Sequence, residues 1–390
     1  MWRAFPPLLV CLALVLPARA DMVFVLNSGD ASISVLDARE RVEMRRMPAL
    51  REVHHAVLTP DGGTLVVGDS GGNELMFLDP ATGELRRRLR ISNPYHLEYS
   101  PDGKYLVVAS LRRDQVDIYD AGTMALLARL QQPDKPSHIA FSPNSRFAYV
   151  TLQGSGEVVA VDLDRREAAW TVAVGPEPAG IIWHRGRLIM GLMGSTDFVQ
   201  LNPETREVTR AFSVGRGAHV VVASPDGRSL YATARVESGV WEVDAETLEV
   251  KRRFDVQGGP DCIAFDPDGR LWMTLRWLGR VGVLDPRTGT LEQIRVGRSP
   301  HGIFVMPRRE GMRADFAAIM PGAVSGSRPL PRPLEPRQGE HPADRPVPPM
   351  VSEAPSLAPG PSLTPPRPSR RTAAEMPSLI ITPVRVEAAR

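Results

Sequence analysis

Cysteine is nearly missing from this sequence, with only Cys11 and Cys262 among 390 residues. Cys11 lies in an N-terminal stretch that reads as an export leader: Arg3 supplies a positive start, Leu8 to Leu16 an apolar core, and Ala18 and Ala20 the small residues a signal peptidase needs. Cleavage after Ala20 leaves Asp21 as the mature start and Cys262 as the single thiol, so an intramolecular disulfide is excluded and packing alone must hold the fold. Val10 stands before Cys11 where lipoprotein signals carry a small residue, so no lipid anchor is expected. Long hydrophobic runs are missing as well. The leader core is about half of the ~20 residues a membrane helix requires, and no other segment approaches that length, so no membrane span is expected.

Charge of one sign is also lacking. A formal net charge of +2 excludes the strongly basic domain that grips nucleic acid without regard to sequence. No Cys-x-x-Cys-His is present, which excludes a covalently attached c-type haem. Gly154-Ser155-Gly156 lacks the spacing of a nucleophile elbow and falls in a hairpin turn.

What the chain has in excess is proline, 37 residues, against an average usage of roughly 5%. Eighteen of them fall in 307–390, in runs such as Arg328 to Pro333 and Pro365 to Arg371. That segment carries 12 basic and 8 acidic side chains, whereas 21–306 carries 33 and 37. Proline has no amide donor and large apolar groups are scarce there, so 307–390 reads as a disordered, partly polyproline II, basic tail.

The prolines of 21–306 are punctuation. Pro60-Asp61-Gly62 recurs as Pro101-Asp102-Gly103, Pro143-Asn144-Ser145, Pro225-Asp226-Gly227 and Pro267-Asp268-Gly269, with His184-Arg185-Gly186 filling the missing turn. A second marker, Asp37, Asp79, Asp120, Asp162, Asn202, Asp244 and Asp285, keeps the same spacing of 40 to 42 residues. Between markers lie short β-branched runs such as Leu65 to Gly68, Tyr105 to Ala109 and Val158 to Val161, too short for helices and bounded by turn formers. Four such runs per period describe a propeller blade. The chain enters at a second strand, Met22 to Leu26, and leaves after a lone first strand, Ser299 to Val305. Seven markers therefore predict a seven-bladed, all-β propeller whose split closing blade joins the two ends, over 21–306.

The succession Pro94-x-His96-x-x-x-Ser100-Pro101-Asp102-Gly103, then Leu106-Val107-Val108, then Val116-Asp117-Ile118-Tyr119-Asp120, resembles the exported YVTN-type propellers, including YncE-like proteins; Tyr149-Val150-Thr151 is nearest to the name-giving tetrapeptide. The resemblance covers 22–306. The repeats are also similar to the propeller that carries haem d1 in cytochrome cd1 nitrite reductase, which has eight blades where seven are counted here.

Histidine carries the functional signal. Six of eight stand at the start of a first strand: His54, His219 and His301 lie six residues before a turn proline, and His55, His96 and His138 lie five before it, as does Cys262. First strands are innermost in a propeller, so these side chains are expected around one channel mouth. Arg112, Arg235 and Arg276, each just after a second strand, are expected to rise beside it and form a positive funnel for a carboxylated or phosphorylated ligand. Trp241 and Trp277 are further candidates for its wall.

Several readings stand at this level. The first is a non-catalytic periplasmic binding module, monomeric, for a small anion or a protein partner. The second is a cofactor protein, with haem d1 on one of His96, His138, His219 or His301, or with a transition metal on His54, His55 and His96. A hydrolase or lyase using histidine as general base and a scaffold whose tail is the working part complete the set. Histidine that merely bonds the backbone of a neighbouring blade is the bland counterpart to all of them.

Overall fold

A computed structural model describes residues 22–132 and 134–306; the leader with its Ala20 cleavage site and the 307–390 tail lie outside the described residues. Seven four-stranded antiparallel sheets follow one another around a central channel. Blade 1 is the closing blade. Its inner strand, Pro300–Val305, pairs with Met22–Asn27, followed outward by Ser32–Asp37 and Val42–Pro48. Val23 sits opposite Val305, Phe24 opposite Phe304 and Val25 opposite Ile303, so both ends of the described chain are held in one ladder. The inner strands of blades 2 to 7 are Val53–Leu58, His96–Tyr99, Pro136–Phe141, Pro178–His184, Ala218–Ala223 and Pro260–Phe265. The seven-bladed propeller expected from the repeat is the fold.

Alternation explains the packing. In Met22–Asn27, Phe24 and Leu26 face a cluster with Val53, Leu65 and Met76 of blade 2, while Val23 and Val25 face Trp272 and Val281 of blade 7. Each pair of neighbouring blades shares such a cluster. Middle strands are therefore apolar on both faces, and the outermost ones, such as Leu85–Arg90, are exposed and rich in arginine. Burying a large side chain such as the fully enclosed Phe24 contributes about 2–3 kcal/mol, and these clusters stand in for disulfides.

The repeated polar markers are turn chemistry. Asp79 Oδ1 accepts the amides of Ala81 and Thr82, and Asp120, Asp162, Asn202 and Asp244 do the same two and three residues on. Among the described residues no helix is long and apolar enough to cross a membrane.

Candidate functional site

The channel is shaped by a recurrent irregularity. Within the inner strands of blades 2, 4, 5, 6 and 7, pairing to the second strand shifts register between Val53 and Ala56, Pro136 and Ile139, Pro178 and Ile181, Ala218 and Val221, and Pro260 and Ile263. Blade 1 does the same between Pro300 and Ile303. Three residues on the inner strand cover two on its neighbour, which is a bulge, and a bulge re-aims side chains that strict alternation would send to opposite faces. The two residues freed are those lying six and five positions before the turn proline, or, in blade 5 where that proline is missing, the equivalent Ala179 and Gly180. They form two successive tiers along the channel.

Threonines hold the bulges. Thr274 Oγ1 accepts the Cys262 amide at 3.1 Å and donates to the His301 carbonyl of blade 1 at 2.7 Å. Thr151 links His138 to Ala179 and Thr233 links Val220 to Asp261 in the same way. At Gly302 there is no room for any side chain, because an added Cβ would collide with the His54 carbonyl oxygen.

The upper tier centres on Asp261, which is fully buried. His301 Nδ1 lies 2.8 Å from Oδ2 and His219 Nδ1 2.8 Å from Oδ1. Arg276 Nη1 donates to Oδ2 at 3.0 Å, and Arg235 Nε lies 3.6 Å from Oδ1. Burial opposes ionisation, but His301, His219 and Arg235 together hold the Asp261 carboxyl well below the usual 3.8. Across the opening, Glu52 lies 3.1 Å from His54 Nε2 and 2.5 Å from Arg112 Nη1. The hydrogen bond from His54, against a burial penalty and with help from Arg112, lowers Glu52 to about 2.

Arg112, Arg235 and Arg276 do line one cavity, of about 240 Å³, with Glu52, His54, Tyr95, Gln153 and His301. Glu52 and Asp261 oppose the three guanidiniums, so the funnel is a balanced array with one positive charge in excess rather than a purely positive surface. Trp241 and Trp277 are not in its wall. Trp241 is buried in the cluster between blades 5 and 6, and Trp277 is exposed beside Gly259.

The lower tier is different. His55, His96, His138 and Cys262, with Gly180, Val220 and Gly302, line a second cavity of about 170 Å³. The histidines therefore do not ring a single mouth. They make a plug between two cavities, with ring centroids 4.5 Å apart for His55 and His96, 4.9 Å for His55 and His301, and 5.1 Å for His55 and His138. Burial lowers His96 to about 4 and His301 to about 3, the latter against the pull of Asp261. His55 and His138 fall well below 6.5 through burial and mutual repulsion, and burial, reinforced by Asp261, raises the Cys262 thiol well above 9. The plug is thus a neutral array at pH 7.

His54, His55 and His96 are near one another, but the donors that converge are His55, Cys262 and His301, whose ligand atoms lie within 4.8 Å of one another. A backbone hydrogen bond from imidazole occurs at His184, to the Ala245 carbonyl at 2.6 Å, outside the channel. Sequence reasoning passed over Asp261, Glu52 and Tyr95. Asp261 and Tyr95 share the column of His54, His219 and His301, so the column read across blades, rather than the histidines alone, was the available signal.

The YNCE-like β-propeller family profile matches residues 8–309. The chain belongs to that family. No protein of curated function matches it by sequence. Among solved structures, this family member is similar to hydrazine synthase of Kuenenia stuttgartiensis (20% identity, TM-score 0.56, 65% of this chain and 92% of that one). It is similar also to dihydro-heme d1 dehydrogenase NirN in complex with DHE (15%, TM-score 0.57, 74% and 75%) and to virginiamycin B lyase from Staphylococcus aureus (14%, TM-score 0.56, 64% and 87%). At these identities the likeness is one of fold.

Proposed function

We propose that this protein is an exported, non-catalytic binding module that takes a small carboxylate or phosphate in the arginine-lined cavity at the upper end of the channel. The observation that carries the reading is the convergence of Arg112, Arg235 and Arg276 from three blades on one cavity whose wall holds a single carboxylate, Glu52, with Asp261 buried behind Arg235 and Arg276. Each guanidinium has five donors, and the contacts to Glu52 and Asp261 leave donors free for a bidentate grip on an anion. Tyr95 and Gln153 add neutral polar contacts. The volume, about 240 Å³, is below the 300–1,000 Å³ usual for drug-sized ligands and favours a small one.

The fold resemblance to haem d1 propellers finds little echo in these residues. A tetrapyrrole needs an open-sided imidazole with a broad flat space above it. His219 and His301 are turned to Asp261, and His96 and His138 open only to the smaller lower cavity. His301 is not aimed for general-base catalysis in the upper cavity, since its Nε2 faces His55 Nε2 at 3.3 Å. Export rests on the leader residues and is tested by the N-terminus of the secreted protein, expected at Asp21.

Calorimetric titration of the mature protein with succinate and with inorganic phosphate at low ionic strength tests the binding reading. Saturable heat that weakens with added salt, and an affinity about 10-fold lower or worse in Arg112→Gln, is the expected result. The absence of heat with both anions, or affinity unchanged in Arg112→Gln and Arg235→Gln alike, would overturn it.

A further inference from the structure

The lower tier has a chemistry of its own that anion binding does not use. We propose that His55, His301 and Cys262 form a site for one transition-metal ion of the zinc or copper class, set in the plug beneath the anion cavity. His55 Nε2 and His301 Nε2 lie 3.3 Å apart. Two imidazole nitrogens bound at 2.0–2.1 Å to one tetrahedral ion are separated by about 3.3 Å, so this pair already has the spacing the ion imposes. The Cys262 sulfur completes a set spanning at most 4.8 Å, which closes on an ion with a side-chain movement of roughly 1 Å.

A second observation shows the donors are oriented for a ligand. The Asp261 carboxylate lies 2.8 Å from His301 Nδ1, which Arg276 Nη1 also contacts; the tautomer with the proton on Nδ1 donates to Asp261 and leaves the Nε2 lone pair facing His55. A carboxylate behind a ligating imidazole is the usual outer-shell support of a metal site. Two further buried nitrogens in the plug, His96 Nδ1 and His138 Nε2, have no hydrogen-bond partner. An unsatisfied buried polar atom costs about 1–3 kcal/mol in general, and such atoms on the wall of one cavity indicate that something else satisfies them. His96 and His138 line the lower cavity together with His55 and Cys262, which supplies both an entry path and room for a water or small molecule as fourth ligand.

The donor set selects the metal. Two neutral imidazoles and a thiolate favour zinc or copper over magnesium, calcium or manganese, which prefer oxygen. Binding displaces the thiol proton to solvent, and the resulting thiolate with the Asp261 carboxylate behind it neutralises a divalent ion. The two sites adjoin at His301, which lines the anion cavity while its Nε2 faces His55; His55 and Cys262 line the lower cavity.

The test is titration of the metal-stripped mature protein with Co(II), as a spectroscopic stand-in for Zn(II), and in parallel with Cu(I) under anaerobic conditions. One equivalent of Co(II) should produce a thiolate-to-cobalt charge-transfer band with the intense visible bands of tetrahedral coordination. Cys262→Ser, which preserves shape, should abolish the charge-transfer band, and His301→Gln should weaken binding at least about 10-fold. Arg112→Gln should leave both unchanged. Circular dichroism and a cooperative melt establish that each variant is folded, and thermal stabilisation by Zn(II) in the parent gives a readout independent of colour. Lack of a thiolate band with Co(II) together with lack of binding by Cu(I) overturns the proposal, as does stoichiometric binding that survives in both folded Cys262→Ser and His301→Gln.

Discussion

The two tiers of the channel are one residue apart along the inner strands and rest on the bulge that blades 1, 2, 4, 5, 6 and 7 share, yet their chemistry differs. In the upper tier the Asp261 carboxylate is set among His219, His301, Arg235 and Arg276, although His54 Nδ1, His219 Nδ1 and Asp261 Oδ1 lack a well-formed hydrogen bond. The lower tier, Cys262, His55, His96 and His138, is neutral and leaves nitrogens unpaired. The upper tier thus gathers charge around one buried carboxylate, whereas the lower tier sets imidazoles and a thiol together with no ion pair among the described residues.

The sharpest way to break this contrast is to remove the charge from the upper tier. Asp261→Ala leaves two half-buried guanidiniums and two imidazoles without their anion, and should cost about 3–5 kcal/mol in urea unfolding; a loss under ~1 kcal/mol would mean that the network is not structural. Next is Gly302→Ala, in the lower tier. Its methyl group meets the His54 carbonyl, and overpacking of that kind costs about 1–3 kcal/mol, measurable as a lower thermal midpoint. Thr274→Val comes third. It strips the Cys262 amide and the His301 carbonyl of their shared partner, for an expected loss of about 1–2 kcal/mol.

The smallest effect lies at the rim. Glu52 is lowered from the usual 4.5 to about 2 in the folded protein, so its contribution is present above pH 4.5 and is lost as pH falls towards 2. Glu52→Gln should remove that acid-side dependence while changing stability at pH 7 by less than about 1 kcal/mol, because the pair is partly solvated. Unfolding midpoints measured over that pH window compare the two proteins directly.

Much of this was legible in the sequence, and the limits are physical. The fold was readable because turn chemistry is local: Asp79 or Asp120 acts on amides two and three residues away, so the spacing of markers reports the blade count without any knowledge of packing. The gathering of Arg112, Arg235 and Arg276 followed from blade equivalence alone. What could not be read was the consequence of the bulge, which sets the two consecutive inward residues in separate tiers instead of around one mouth. That is why His54, His55 and His96, on neighbouring blades, suggested a cluster, whereas the converging donors come from blades 1, 2 and 7. Asp261 was invisible for a related reason. Aspartate is so common in the turns that one placed at the entry of an inner strand looked like another of the same kind.

Ring closure has a meaning in the order of synthesis. His301 and Gly302 belong to the last described strand of the chain, whereas His55, 3.3 Å from His301, is made 246 residues earlier. Until Pro300–Val305 docks beside Met22–Asn27, the channel lacks one of its seven walls and Asp261 lacks His301 as a partner. A growing or truncated chain can fold its early blades in sequence and still lack a closed channel. Closure is thus a single late event, and it certifies that every blade before it is in place.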